Sequence, residues 1–122
     1  MVSLSVVREH NKSLRETLKN YSHISLFIGV TQGIGLATAV QLLHHIPSPT
    51  VFIVGRSASG FASKLGELRD INPSAKIEFI EGEASLLRDV DAICEVIVKK
   101  VKKLDLLFMS AGFLPSRSPD CK

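Results

Sequence analysis

The stretch Gly29-Val30-Thr31-Gln32-Gly33-Ile34-Gly35 carries glycines in the pattern G-x-x-x-G-x-G. Glycine-rich turns between a strand and a helix suit one kind of chemistry. Without a Cβ the backbone turns sharply and lets a phosphate come close to its N–H groups. The positive end of the following helix dipole then faces the anion. The loop is therefore read as a cradle for the pyrophosphate of a nicotinamide dinucleotide. Further on, Gly55-Arg56-Ser57 closes a β-branched run. In NAD-selective sites an acidic residue near such a position binds the ribose 2′-hydroxyl. None stands there, and the nearest carboxylate along the chain is Glu67. Arg56 takes the place instead, and a guanidinium suits a 2′-phosphate, so NADP(H) is favoured over NAD(H).

Elements that could position these residues follow from periodicity. Leu4, Val7, Leu14 and Leu18 recur at helical intervals, which predicts an amphipathic helix over 3–19 lying on the outside of the domain. Ile24–Ile28 is a short apolar run suited to a buried parallel strand. Ile34, Ala37, Thr38, Leu42 and Ile46 mark the next helix, stopped by Pro47 and Pro49. Thr50–Val54 reads as a second strand, the face Phe61, Leu65, Leu68, Ile71 as a helix, and Lys76–Ile80 as a third strand. Ser85 offers an N-cap for a helix whose stripe runs Leu86, Val90, Ile93, Ile97, Val101, Leu104. Leu104–Met109 is a fourth strand, and Ser110–Lys122 reads as loop. Strands alternating with helices imply an α/β fold with a parallel sheet, right-handed crossovers and helices on both faces.

Composition narrows the function classes. The chain has 122 residues, 45% of them apolar and 22% charged, which fits one folded domain and excludes a disordered tail. A net charge of +3 is too small to argue for nucleic acid. Lys99, Lys100, Lys102 and Lys103 fall at a helix end, where positive charge complements the dipole, and no aromatics are interleaved for base stacking. Cys94 and Cys121 lie far apart and are read as reduced thiols. Neither they nor His10, His23, His44 and His45 show metal-ligand spacing, so no metal site is assigned. No apolar run approaches the roughly 18 residues of a membrane helix, and charges near the N-terminus break any signal-peptide core. A cytoplasmic protein that neither enters membranes nor binds nucleic acid is expected.

At the glycine loop the sequence resembles the short-chain dehydrogenase/reductase family, whose motif is Thr-Gly-x-x-x-Gly-Ile-Gly; Ile28 stands here for the opening threonine. The resemblance implies a Rossmann-like, doubly wound parallel sheet of about four strands in the order 3-2-1-4, preceded by the N-terminal helix. It divides the chain into a helical extension (1–22), an NADP(H)-binding domain (23–112) and a terminal loop (113–122). It also implies cofactor-binding roles for Gly29, Thr31, Gln32, Gly33, Ile34, Gly35, Arg56 and Ser57. In Glu81-Gly82-Glu83-Ala84-Ser85, Glu83 takes the place of the aspartate that meets the adenine, with Ala84 beside it. The family's fourth strand ends in Asn-Asn-Ala-Gly; Met109, Ser110, Ala111 and Gly112 stand there. Backbone contacts of Ser110, Ala111 and Gly112 to the cofactor survive that change, whereas the asparagine side-chain bonds that brace the sheet are expected to be lost. The overall character resembles fungal members that serve secondary metabolism.

The family's chemistry needs a serine and a Tyr-x-x-x-Lys pair after the fourth strand, the tyrosine as acid or base and the lysine lowering its pKa. The only tyrosine is Tyr21, which precedes the first strand and has Ser25 four residues on. Ser110, Ser116 and Ser118 have no neighbouring base in the sequence. No catalytic residue is assigned, and the chain is read as the cofactor half of a truncated family member. Ending after strand four leaves an apolar edge, so self-association through it is expected. The readings carried forward are an NADP(H)-dependent oxidoreductase moving hydride between nicotinamide and a carbonyl or alcohol, a non-catalytic nucleotide-binding remnant, and an interaction subunit.

Overall fold

A computed structural model describes residues 1–111. The described elements are α1 (Leu4–Thr17), β1 (Ile24–Ile28), α2 (Gly33–His45), β2 (Thr50–Gly55), α3 (Ala58–Ile71), β3 (Lys76–Glu81), α4 (Leu87–Lys100) and β4 (Leu106–Met109). The strands form one parallel sheet in the order β3-β2-β1-β4. This is the doubly wound, Rossmann-like arrangement expected from the sequence. β1 and β2 are central and covered on both faces, which is why they read as near-continuous apolar runs. On one face Phe27, Val51, Ile53 and Ile77 pack with Ala39 and Leu43 of α2 and Phe61 and Leu68 of α3. On the other, Ile24, Leu26, Phe52, Val54 and Ile80 pack with Ile93 and Ile97 of α4.

The registers align the carboxyl ends of the strands. Ile28 pairs with Val54 and with Met109, and Gly55 pairs with Glu81. The carboxyl ends of all four strands therefore lie along one edge, where ligands of open α/β sheets bind.

Several local expectations shift. The stripe of α2 holds at its end, where Leu42 packs on the core and Ile46 is buried, but is out of phase at its start. Gly35, Ala39 and Leu43 are buried, whereas Ile34 is 79% exposed and Ala37 faces solvent. The sheet is contacted from the helix's second residue-row because Gly35, not Ile34, meets the backbone of β1's end. Ser85 does not cap α4. Glu83–Leu86 closes a turn, with the Leu86 N–H bonded to the Glu83 carbonyl, so the cap position falls on Leu86, which has no capping side chain. α4 stops at Lys100, which puts Leu104 off its stripe and 38% exposed, and puts Lys102 and Lys103 beyond the helix. β4 begins at Leu106 because Asp105 turns its carboxylate back to the Ile24 N–H. α1 has no fully buried residue. It lies against α2, Arg15 donating to the His44 carbonyl at 2.8 Å, and Leu14 and the following Leu18 are half-buried.

Asn72, one residue past α3, is a buried polar side chain that holds two helix ends together. Its amide donates to the carbonyls of Leu43 (3.0 Å), Ile46 (2.9 Å) and Pro47 (3.2 Å), and its oxygen accepts the Ser74 N–H at 3.1 Å. These are the orphan carbonyls at the end of α2, which otherwise would be buried without partners.

Candidate functional site: a dinucleotide cradle at the glycine loop

β1 ends at Ile28, and the chain turns through Gly29 at φ +89°. The end of β4 crosses directly over it. A Cβ at Gly29 would lie 2.4 Å from the Ala111 nitrogen. Gly35 is equally confined, its missing Cβ falling 2.7 Å from the Gly29 carbonyl oxygen and 2.7 Å from Ser110 Oγ. Both glycines are therefore required by the packing of β1, β4 and α2 against one another. Gly33 differs. It has φ +66°, it opens α2, and among the described residues nothing lies within 4 Å of where its Cβ would be.

The start of α2 is also chemically open. Gln32 occupies the cap position with no side-chain bond to the first turn, and that turn holds no acidic residue. A helix start with free N–H groups, a dipole aimed outward and a Cβ-free approach is an anion cradle. Thr31, Gln32, Gly33 and Ile34 are exposed along its rim. The fit to a diphosphate is good: among the described residues the space is present, the donors are unclaimed by side chains, and no carboxylate is built into the turn.

The second α-helix start along this edge is closed. Ser57 accepts the Gly60 N–H at 3.1 Å, and its hydroxyl is 3.2 Å from that of Ser59. Glu81, at the end of β3, accepts the Ala58 N–H at 3.0 Å. Arg56 is exposed at the tip of β2 and makes no ion pair among the described residues. The Thr31 methyl lies 3.4 Å from where a Gly55 Cβ would be, so the glycine loop and the end of β2 are neighbours. Sequence reasoning placed no carboxylate near Arg56. Glu81 supplies one across the sheet, through its register with Gly55.

Beyond β3, Glu83 and Ala84 are exposed. The Glu83 carboxylate accepts from Ser85 Oγ at 2.9 Å, and its own N–H donates to Asp89 Oδ2 at 2.9 Å. Asp89 thus shapes this loop. At β4, Ser110 corrects the expectation that bracing is lost. Its hydroxyl donates to the Gly29 carbonyl at 2.9 Å and its N–H to the Ile28 carbonyl at 2.9 Å. A serine reaches the loop because Gly29 and Gly35 let β4 approach so closely. Gly112, Ser116, Ser118 and Cys121 lie outside the described residues.

Tyr21 sits at the opposite edge of the sheet. Its hydroxyl donates to Asp105 Oδ1 at 2.6 Å and accepts from Lys103 Nζ at 2.9 Å. Lys103 also donates to Asp105 at 3.2 Å and lies 4.3 Å from the Tyr21 ring centre. Asp105 Oδ2 accepts the Ile24 N–H at 2.8 Å. The Tyr21 hydroxyl, then the Ile24 N–H and Lys103, hold the Asp105 carboxyl down at about 2. The Tyr21 hydroxyl in turn raises Lys103. Burial lowers the neighbouring His23, against the pull of Asp105. A tyrosine and a lysine are brought together here, but their polar atoms are consumed by one another and by β1. The cluster fastens the segment before β1 to the start of β4.

Among the described residues no group of three or more His, Cys, Asp or Glu side chains is placed to hold a metal, and no helix is long and apolar enough to cross a membrane. Cys94 is exposed on α4.

The fold and loop define an open, doubly wound α/β domain, and comparison with known proteins gives its family. The short chain dehydrogenase family model matches residues 23–121, and the chain belongs to that family of oxidoreductases. It is 48% identical over 119 residues to oxidoreductase lepF of Aspergillus flavus, covering 98% of this chain and 33% of that protein. To oxidoreductase andH of Emericella variicolor it is 41% identical over 112 residues, covering 92% and 33% respectively. The chain thus spans about a third of the length of these relatives. Among solved structures, L-sorbose reductase from Gluconobacter frateurii, in complex with NADPH and L-sorbose, superposes with a TM-score of 0.70 at 18% identity, over 80% of this chain and 36% of that one. At that identity the likeness speaks for the fold.

Proposed function

We propose that residues 23–112 form the NADP(H)-binding portion of a short-chain oxidoreductase, with 1–22 as an extension and 113–122 as a loop. The whole protein would move hydride between the nicotinamide and a carbonyl or alcohol carbon. The observation that carries this is the start of α2, where Gly33 leaves open space before unclaimed N–H groups.

In this reading the backbone of Gly29, Thr31, Gln32, Gly33, Ile34 and Gly35 receives the diphosphate. Arg56 and Ser57 receive the 2′-phosphate, Glu83 and Ala84 flank the adenine, and Ser110, Ala111 and Gly112 flank the nicotinamide ribose. When bound, the nicotinamide supplies the hydride. Ser110 keeps the loop in shape by holding the Gly29 carbonyl. The described residues offer no proton donor at this edge: Tyr21 and Lys103 are held at the other one. The substrate's proton therefore comes from groups outside residues 1–111 in this scheme. Fungal relatives make secondary metabolism the setting we propose, in the cytoplasm. Self-association through the β4 edge, where Leu107 and Met109 are 49% and 69% exposed, is part of the same proposal.

Equilibrium titration with NADPH and NADH tests the cofactor assignment. We expect wild type to favour NADPH, and Arg56→Ala to lose about tenfold for NADPH with little change for NADH, the scale of one charge-assisted phosphate contact. An unchanged ratio removes Arg56 from the site.

A further inference from the structure

Arg56 is not the only charge at the tip of β2. Gly55 is in register with Glu81, which ends β3 on the face it shares with Ile77, the face covered by α3. From there Glu81 accepts the N–H of Ala58, the first residue of α3, although 23 positions separate the two in sequence. A carboxylate at a helix start is stabilised by the dipole. It also occupies the donor that a second anion arriving beside Arg56 would use, and it opposes that anion's charge. A ribose 2′-hydroxyl meets no such opposition, since it is neutral and can donate to a carboxylate.

We propose that Glu81 is a specificity-determining residue that limits the preference for a 2′-phosphate conferred by Arg56 and tolerates a free ribose 2′-hydroxyl. The proposal rests on the reading of this edge as a dinucleotide site. It makes the site a balance of two opposite charges delivered by adjacent strands, Arg56 from β2 and Glu81 from β3. The α2 start carries no such carboxylate, so the diphosphate is unopposed while the 2′-phosphate is not.

Glu81→Gln tests it, because the amide oxygen still accepts the Ala58 N–H while the charge is gone. The probes are adenosine 2′,5′-bisphosphate and adenosine 5′-diphosphate, titrated at fixed low salt against the 122-residue chain. Glu81→Gln is expected to tighten the 2′,5′-bisphosphate about fivefold and to change the 5′-diphosphate by less than about twofold, the size expected for removing one partly solvated charge. Glu81→Ala should tighten it in the same sense and at least as strongly, because the Ala58 N–H is freed as well as the charge removed. Equal effects on both probes, or weaker bisphosphate binding in Glu81→Gln, overturn the role of Glu81. If wild type binds neither probe and neither NADPH nor NADH, the dinucleotide reading itself fails and takes this proposal with it. Binding of both probes with an unchanged ratio defeats Glu81 alone.

Discussion

The two edges of the sheet use the same residue types in opposite ways. At the carboxyl edge the glycine loop is poor in side-chain bonds and rich in unclaimed backbone donors. At the amino edge Tyr21, Lys103 and Asp105 satisfy one another, and Asn72 ties the ends of α2 and α3. A tyrosine beside a lysine looks like chemistry in a list of residues, yet here it is a fastening. Glycines look like spacers, yet they shape the open surface on which the proposed site rests. What distinguishes a site from a brace is whether the polar groups have been left without partners facing solvent.

That contrast can be broken by substitution. Gly29→Ala should have the largest effect, roughly 3 kcal/mol of stability by urea denaturation, because its Cβ meets Ala111 backbone at 2.4 Å and φ is +89°. Dinucleotide binding should vanish with it. Asn72→Ala comes next, costing about 2 kcal/mol through carbonyls left unpaired at the end of α2, with dinucleotide affinity unchanged in protein that remains folded. Loss of affinity in that variant would mean that the two edges are coupled. Gly33→Ala should cost about 1 kcal/mol, from φ +66° alone, since its surroundings are open. Its affinity for NADPH should nonetheless fall about tenfold, as a methyl group enters the phosphate approach. Stability lost without affinity would show that the open space is not the cradle.

The smallest effect is one of pH. Asp105 has its carboxyl lowered from 3.8 to about 2 in the folded chain, so the unfolded chain binds the proton first. The stability it contributes is fully present above about pH 4 and is lost as pH falls through 2. Urea midpoints of wild type and Asp105→Asn should therefore converge over that window. Parallel curves would show that the carboxylate at the amino edge is not the acid-sensitive fastening.

The features legible in the sequence were those whose physics is local. A strand, a glycine turn and a helix announce themselves within a few residues, and so the loop and the four strands could be read in advance, while the strand order followed from the family resemblance. Phase was harder: α2 shows the right period, but only contact with β1 reveals that Gly35 rather than Ile34 faces the sheet. Glu81, Asn72 and Asp105 act on residues far away in sequence, and nothing in their own neighbourhoods marks them. Glu81 is hidden because along the chain the nearest carboxylate to Arg56 is Glu67, whereas register with Gly55 brings Glu81 to the end of β2 from across the sheet. Ser110 looked like a loss beside an asparagine, and only the closeness of β4 to Gly29 shows that a shorter side chain suffices.

The bond from Ser110 to Gly29 joins positions 81 residues apart. The glycine loop can be synthesised early, yet it has no fixed form until the strand that crosses it has been made and has docked. Such long-range closure is slow to form during folding. A nascent chain holding only β1, α2 and β2 would carry every residue of the glycine loop and still present it in many conformations. Competence to hold a ligand at this edge should thus arrive late and abruptly, as β4 seats beside β1.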